Sequence, residues 1–174
     1  MTKSLATRPD ANEYAPYYEK YIHLVREGDI VETLGHQIDD TLALLRSLSS
    51  EQADSRYAAD KWSIKEVIGH LTDTERIFAY RALRFGRNDP TPLSGFEQND
   101  YVTHAAFSQC SMKDLADEFE QVRRASIHLF RHMPQEAWER SGVASGYDVT
   151  VRALAWMIAG HELHHLRVVR ERYL

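Results

Sequence analysis

Apolar residues recur every three or four positions along four long stretches of the chain, which is typical of helices that bury one face. The spacing predicts helices over about 30–48, 64–85, 112–132 and 151–172. The third helix shows the pattern over its whole length, and only Ser126 interrupts it. Its apolar positions are Met112, Leu115, Phe119, Val122, Leu129 and Met133. Four amphipathic helices of this length predict a common core between them.

Each predicted helix begins at a residue whose side chain can bond to the free backbone N–H groups of the first turn. Three of the starts have an acidic residue three positions after the cap, two as capping boxes with glutamate and one as a variant with aspartate. The capping residues and their partners are Asp29 with Glu32, Ser63 with Glu66, Ser111 with Asp114, and Thr150 alone. Pro134 favours a further short helix through Trp138, since proline is tolerated in a first turn.

The remaining segments predict little regular structure. Residues 142–151 are suited to a short extended piece, but no other segment offers a strand to pair with it. The aromatic-rich segment 14–25 is expected to pack over one end of the bundle. We therefore predict an all-α fold, a four-helix bundle formed by residues 28–174, with residues 1–27 as a lead-in.

The long connection between the second and third helices determines the expected topology. Residues 86–110 could span about 80 Å when extended, whereas a helix of 22 residues is only about 33 Å long. The connection can therefore cross the whole bundle, which makes these two helices parallel and gives an up-down-down-up order. We expect its later part, residues 101–107, to wall the functional site, and its earlier part to pack on the bundle exterior or on a partner subunit. The alternative is that Phe96 and Phe107 only cover the core and contact no ligand.

Composition narrows the classes of function. Of 174 residues, 43% are hydrophobic and 27% charged, the net charge is -5, and no basic stripe indicates nucleic-acid binding. No apolar run reaches the roughly 20 residues of a membrane helix, and the N-terminus lacks a secretory apolar segment. The single cysteine, Cys110, excludes a disulfide framework and fits a cytoplasmic protein. We expect Cys110 to be an inert packing residue, because no partner base is evident.

Histidines carry the functional signal. His161 and His165 are one turn apart in the middle of the apolar face of the last helix, so both can reach one metal ion. Burying two imidazoles among aliphatic side chains without partners would be unfavourable. The alternative is that each is a core histidine bonded to a carbonyl or a carboxylate.

The position of a third histidine along the bundle supports a metal site. If the second helix runs antiparallel to the fourth, His70 lies at about 22 Å and His165 at about 21 Å along the bundle axis. On the same scale His36, His128 and His132 lie too far below His161 and His165 to bind the same metal ion. The alternative for His70 is a rim histidine bonded to an acidic neighbour. Three histidines leave a metal position open for water or a substrate, as in catalytic sites.

Two carboxylates near these histidines are candidate catalytic residues. Asp73 follows His70 by one turn and is either an orienting partner of an imidazole or an exposed carboxylate. His161 to His165 also matches the H-E-x-x-H motif of zinc proteases, in which Glu162 would be the general base. Only nine residues follow the motif and no sheet edge is predicted to hold a peptide, so we favour an ordinary surface carboxylate for Glu162.

Two segments resemble the DinB-like superfamily. Lys61–Arg76 is similar to its second-helix signature, through Trp62-Ser63, His70, Asp73 and Glu75-Arg76, and Gly160–Arg167 is similar to its last-helix histidine pair. The resemblance spans roughly residues 28–174. It implies a four-helix bundle of up-down-down-up topology, frequent homodimers, and a divalent metal such as zinc or nickel held by His70, His161 and His165. Some relatives are thiol S-transferases acting with bacillithiol or mycothiol, others are called metal-dependent hydrolases, and many have no established activity.

The sequence thus supports two hypotheses of different classes. In the leading one, the protein is an enzyme whose three-histidine metal activates a low-molecular-weight thiol or water, with a small molecule as substrate. In the alternative, the bundle binds a metal or a partner without catalysing a reaction.

Overall fold

The computed structural model describes residues 7–174, and four long helices dominate it. The helices are α1 Glu19–Ile22, α2 Ile30–Ser47, α3 Ser50–Asp54, α4 Ile64–Gly86, α5 Gln98–His104, α6 Met112–Arg131 and α7 Val151–Arg172. The four predicted helices correspond to α2, α4, α6 and α7, and each begins after the predicted cap. The fold is therefore mostly helical, as expected.

A small hairpin corrects the all-α prediction. Strands β1 Ser141–Ala144 and β2 Tyr147–Thr150 pair antiparallel, with Ser141 opposite Thr150. The turn residues Ser145 and Gly146 both have positive φ, 54° and 83°, which suits a two-residue hairpin turn. The expectation that nothing pairs with residues 142–151 was wrong, because the two halves of this segment pair with each other across the tight turn.

The long crossover also holds more regular structure than predicted. It contains α5 and a 3₁₀ turn over Phe107–Gln109. Earlier in the crossover, Leu93 donates its N–H to the carbonyl of Val143 at 2.9 Å and accepts from the N–H of Ser145 at 3.0 Å. The crossover is thereby attached to the hairpin.

Contacts at the helix ends give the helix directions. The Tyr173 hydroxyl, after α7, donates to the carbonyl of Trp62, before α4, at 2.6 Å. At the opposite ends, a Cβ on Gly86 would lie 3.9 Å from Val151, so α4 and α7 are antiparallel. The same Cβ would lie 2.7 Å from the sulfur of Met133, just after α6, so α4 and α6 end together and run parallel. The long crossover therefore connects two parallel helices.

The lead-in lies along the first half of α7. At the start of α7, the Thr150 hydroxyl donates to the Glu13 carboxylate at 2.8 Å. Ile22 is buried in the core, and α1 packs along α7. The carbonyl of Tyr21 approaches the backbone of Gly160 so closely that a Cβ there would lie 2.2 Å from its oxygen. The lead-in thus extends from the hairpin end of the bundle to the middle of α7, where a glycine leaves room for another backbone.

Two apolar clusters form the core, and a layer of buried polar side chains lies between them along the four long helices. One cluster includes Leu34, Phe78, Phe130 and Leu154, and the other includes Leu42, Ile68, Phe119 and Leu166. The buried polar side chains between them are Thr41, His70, Thr74, Glu75, Arg123, Ser126, His161 and Glu162. The candidate site belongs to this layer.

Replacing Gly160 with alanine tests the close approach of the lead-in. The added Cβ would meet the backbone of Tyr21, so we expect a loss of about 1–3 kcal/mol in the free energy of unfolding. Denaturant unfolding measures it. The matched control is Gly35→Ala in α2, where a Cβ meets nothing within 4 Å and alanine should stabilise by up to about 1 kcal/mol. Equal effects at the two positions would contradict the packing.

Candidate metal site

Three histidine side chains converge between α4 and α7. The Nε2 atom of His161 lies 3.1 Å from Nε2 of His70 and 3.1 Å from Nε2 of His165. One ring nitrogen from each of the three lies within 4.8 Å of the others. The structure therefore brings together the three histidines singled out by the sequence, as a donor set of the kind that binds Zn²⁺ and similar divalent ions.

The two helices place these side chains by spacing and direction. His161 and His165 are one turn apart on α7, and His70 is on the second turn of α4. The antiparallel packing of the two helices brings His70 to the level of this pair. The meeting thus follows from the helix heights on which the sequence prediction depended.

Burial keeps the three imidazoles neutral. His70 and His161 are only 3% and 7% exposed, and His165 is partly covered. Loss of solvent lowers the pKa of His70 to about 4. Burial is also the main cause that lowers the pKa of His161 and of His165 well below 6.5, and repulsion from neighbouring histidines adds to it. Neutral imidazole is the form that binds a metal.

Thr74, and not Asp73, lies beside the second nitrogen of His70. The Thr74 hydroxyl is 3.4 Å from Nδ1 of His70, and both side chains are buried. The Asp73 carboxylate instead accepts a hydrogen bond from Arg76 at 3.2 Å on the bundle surface. Sequence reasoning missed Thr74 because it looked for a charged partner, although a residue four positions along a helix shares the same face.

Aromatic rings cover the histidines on several sides. The Tyr21 ring meets His161 and His164 edge-on, with centroids 5.4 and 5.1 Å apart. The Trp62 ring lies 4.8 Å from the ring of His70. These contacts shield the ring nitrogens from bulk water, which strengthens electrostatic interactions inside the site.

A pocket of about 260 Å³ opens beside the histidine cluster. Its wall includes His165 and His164, the ring of Trp62, and polar side chains from the loop before α4 and from α5. Those polar residues are Asp60, Lys61 and Asn99. The pocket is large enough for a small organic molecule and reaches the one histidine of the three that is partly exposed.

The crossover contributes to this region, although not through all the residues expected. Asn99 of α5 lines the pocket, and the Phe107 ring lies against Gly69, next to His70, so closely that a Cβ there would lie 2.4 Å from it. Tyr101 is 48% exposed and packs on Phe96 instead. Phe107 is therefore beside the site, whereas Tyr101 faces outward.

A buried ion network lies next to the histidines. The Arg123 guanidinium, fully buried, donates to the Glu75 carboxylate at 2.8 Å and to the Glu162 carboxylate at 2.8 Å. Burial alone would lower the pKa of Arg123, but Glu162 and Glu75 raise it above its ordinary value. Arg123 also donates to the carbonyl of Leu34 at 3.4 Å. One side chain of α6 thus bonds to α2, α4 and α7.

Glu162 is a member of this network, which corrects its expected place on the surface. It is 1% exposed, and its second carboxylate oxygen accepts from the Thr41 hydroxyl at 2.6 Å. Both oxygens are therefore engaged away from the histidine cluster. This arrangement does not fit the free general base that the H-E-x-x-H interpretation requires.

The other singled-out residues lie elsewhere. His128 and His132 are exposed at the end of α6, with their rings 5.8 Å apart and tilted, and His36 is exposed on α2. Cys110 is half-buried, and its thiol lies 3.6 Å from the carbonyl of Ala106. These positions agree with a packing role for Cys110.

Comparison with known proteins places the chain in a family. The sequence profile of the DinB superfamily matches residues 33–169. The chain belongs to the DinB superfamily. A protein of Oceanobacillus iheyensis named as a putative metal-dependent hydrolase is 22% identical over 145 residues, which is 80% of this chain and 79% of that protein.

Two solved structures share the fold of this DinB protein. YfiT from Bacillus subtilis, described as a probable metal-dependent hydrolase with an unusual four-helix bundle topology, superposes with a TM-score of 0.72 at 13% identity, covering 97% of this chain and 95% of YfiT. A mycothiol-dependent maleylpyruvate isomerase gives a TM-score of 0.67 at 13% identity, covering 83% of this chain but 61% of the isomerase. Together with the three histidines, the named relatives suggest a divalent metal. No helix among residues 7–174 is long and apolar enough to cross a membrane.

Arg123→Met should destabilise this DinB protein by about 3–5 kcal/mol, because it leaves two carboxyl groups buried without their guanidinium. Denaturant unfolding measures the change. The control is Arg124→Met on the exposed side of α6, where loss of the pair with Glu120 should change stability by less than about 1 kcal/mol. Adding Glu75→Gln and Glu162→Gln to Arg123→Met should recover part of the loss. A loss no larger than that of the control would contradict the network.

The lowered pKa values predict how the metal-free protein responds to acid. Unfolded chains take up a proton on each of these histidines near pH 6.5, whereas folded His70 does so only near pH 4. The unfolded state then binds more protons than the folded state. The free energy of unfolding therefore decreases as the pH is lowered through this window, by up to about 1.4 kcal/mol per pH unit for each group. Urea unfolding of chelator-treated protein between pH 7 and 4.5 measures it.

The comparison variant is His70→Gln. Because it removes one titrating group, the slope of the free energy of unfolding against pH should be smaller by up to about 1.4 kcal/mol per pH unit in the same window. Carboxyl groups titrate in both proteins and cancel in the comparison. Identical pH profiles for the two would mean that His70 does not titrate as its burial implies.

Proposed function

We propose that this protein is a metal-dependent enzyme in which His70, His161 and His165 hold a divalent ion, zinc or nickel, that activates a low-molecular-weight thiol or water. The substrate would be a small molecule bound in the pocket beside His165. The reaction would be either transfer to the thiol sulfur or hydrolysis. The O. iheyensis relative named for hydrolysis and the isomerase named for mycothiol support these two forms of the proposal.

The observation that carries the proposal is the convergence of three neutral, covered imidazoles on one point. No carboxylate of the described chain forms an ion pair with any of the three, so a purely structural role would leave buried nitrogens poorly partnered. A divalent ion would satisfy all three at once. The open side toward the pocket is what distinguishes a catalytic site from a closed structural one.

The donor geometry fits such an ion. Two nitrogens bound tetrahedrally at 2.0–2.1 Å from zinc are about 3.3 Å apart. The two Nε2 separations of 3.1 Å in this structure are close to that value. Imidazole is a ligand for both zinc and nickel, so metal analysis has to identify the bound ion.

The side chains around the cluster have distinct parts in the proposed chemistry. Thr74 restrains the ring of His70 through its Nδ1 atom, and Tyr21 and Trp62 keep bulk water away. A bound ion would supply Lewis acidity and lower the pKa of a thiol or a water at its open position. Lys61 and Asn99 of the pocket offer hydrogen-bond donors that can hold polar groups of the substrate.

Glu162 and Asp73 are not assigned a catalytic part. The carboxylate of Glu162 is occupied by Arg123 and Thr41, and that of Asp73 by Arg76. The proposal therefore contains no protein general base and depends on the low pKa of the metal-activated nucleophile. We also propose a homodimer, as is frequent in the superfamily, which light scattering of the purified protein tests directly.

Metal analysis of purified protein tests the proposal. We expect about one divalent ion per chain in the wild type and less than about one tenth of that in His161→Ala, since removing one of three ligands lowers affinity steeply. The control is His36→Ala, an exposed histidine that should leave metal content unchanged. Wild-type protein without a stoichiometric ion, also after incubation with zinc or nickel, would refute the site.

A second measurement separates an enzyme from a non-catalytic bundle. Chelated and metal-restored protein is assayed with a low-molecular-weight thiol plus an electrophile, and with ester and amide substrates. The proposal expects turnover that is lost on chelation and recovered with the metal. If the metal raises the melting temperature but supports no turnover with any of these compounds, the binding hypothesis replaces the enzyme.

A further inference from the structure

A second pocket lies at the apolar cluster that includes Phe78 and Leu154, and a buried arginine forms part of its wall. The pocket has a volume of about 160 Å³ and lies between the lead-in, α4, the hairpin and α7. Arg81 of α4 lines it and is 3% exposed. Arg81 is eleven residues after His70, about 16 Å along the helix axis, so this pocket is separate from the histidine cluster.

The Arg81 guanidinium has only neutral partners. Its Nη2 atom donates to the carbonyl of Ser94 at 2.9 Å and to the hydroxyl of Ser145 at 3.0 Å, and it interacts with the Tyr18 hydroxyl. Among residues 7–174, no carboxylate lies within 4 Å of it to form an ion pair. Arginine stays charged in proteins, and burying its charge without an anion is unfavourable.

The other buried arginine shows what a balanced arrangement in this protein looks like. Arg123 is enclosed by two carboxylates, from Glu75 and Glu162. Arg81 is almost equally buried but faces a cavity where its counterion would be. The comparison indicates that the partner of Arg81 is an anion from outside the chain.

The rest of the wall defines the kind of anion. It is mainly apolar and is formed by Val149, Leu154 and Met157 together with the rings of Tyr17, Tyr18 and Tyr147. A volume of about 160 Å³ equals roughly five waters at their liquid density, enough for one small organic molecule. Inorganic phosphate would leave most of its oxygens facing apolar side chains, which is unfavourable.

We propose that this second pocket binds a small organic carboxylate, with its carboxylate on Arg81 and its apolar body between the tyrosines and Met157. A guanidinium is well suited to a carboxylate, because its parallel N–H groups match the two oxygens. The hairpin turn closes the pocket at Ser145, whose hydroxyl already holds Arg81 in place. The proposal does not depend on the metal or on the proposed reaction.

Titration calorimetry of the purified full chain with benzoate, butyrate and benzamide tests this pocket. We expect benzoate to bind with a Kd below about 10 mM, and benzamide, which has the same shape without the charge, to bind at least about tenfold more weakly. Benzamide binding as well as benzoate would show an apolar cavity only and would overturn the proposal. No binding of either carboxylate would also overturn it.

Variants locate the binding. Arg81→Met should weaken benzoate binding at least about tenfold, whereas Arg81→Lys, which keeps the charge, should weaken it less. The matched control is Arg84→Met, one turn away on α4, where the arginine already pairs with Asp89 and should not affect benzoate. Metal content and circular dichroism show whether each variant folds. If Arg81→Met folds and binds benzoate like the wild type, the carboxylate is not held by Arg81.

Should Arg81→Met fail to fold, the wild-type protein still decides. Chemical-shift changes on adding benzoate should concentrate at Ser145, Tyr147 and Met157 rather than at His165 and Trp62 of the histidine pocket. Changes confined to the histidine pocket would overturn the second site and assign the carboxylate to the metal site.

Discussion

The structure depends on the burial of Arg123 between two carboxylates. Glu75 and Glu162 can be removed from water only where a guanidinium reaches both, and Arg123 does so from a third helix. Glu75 comes five residues after His70, and Glu162 comes directly after His161. The ion network therefore fixes the relative heights of α4 and α7, on which the meeting of the histidines depends. A slip of either helix by one turn would break both at the same time.

The network also explains why the apolar core is divided in two. A continuous aliphatic core would pack four helices well, but it would leave no place for the three imidazoles and their polar neighbours. Burying charges and hydroxyls in the polar layer is unfavourable, but these groups pair with one another in only one register of the helices. Its members hold one another: Thr41 bonds to Glu162, Arg123 to Glu75, and Thr74 to His70. The histidine site is in this sense one edge of a larger polar layer.

The sequence predicted the parts of the fold that depend on local spacing. Amphipathic period and capping residues defined the four long helices, and helix heights selected His70 together with His161 and His165 for a common site. Glu162 was wrongly predicted to lie on the surface, because the last helix was assumed to bury only one face. In the structure α7 is buried on all sides from Ala153 to Glu162. Arg123 was missed because a charged residue in an amphipathic helix normally faces water, and only the tertiary arrangement supplies its two partners. The hairpin and the position of the lead-in depend on turn conformation and on the space left by Gly160, which periodicity does not report.

The lead-in lies outside the region that matches the superfamily. The matched region begins at residue 33, yet the ring that covers His161 belongs to Tyr21, and the lead-in also supplies Tyr17 and Tyr18 to the second pocket. A chain shortened to the matched residues would keep most of the four long helices and all three histidines, but it would lose the ring over His161 and part of the wall of the second pocket. A different segment before residue 33 would therefore change the surroundings of His161 and of the second pocket while leaving the bundle itself unchanged.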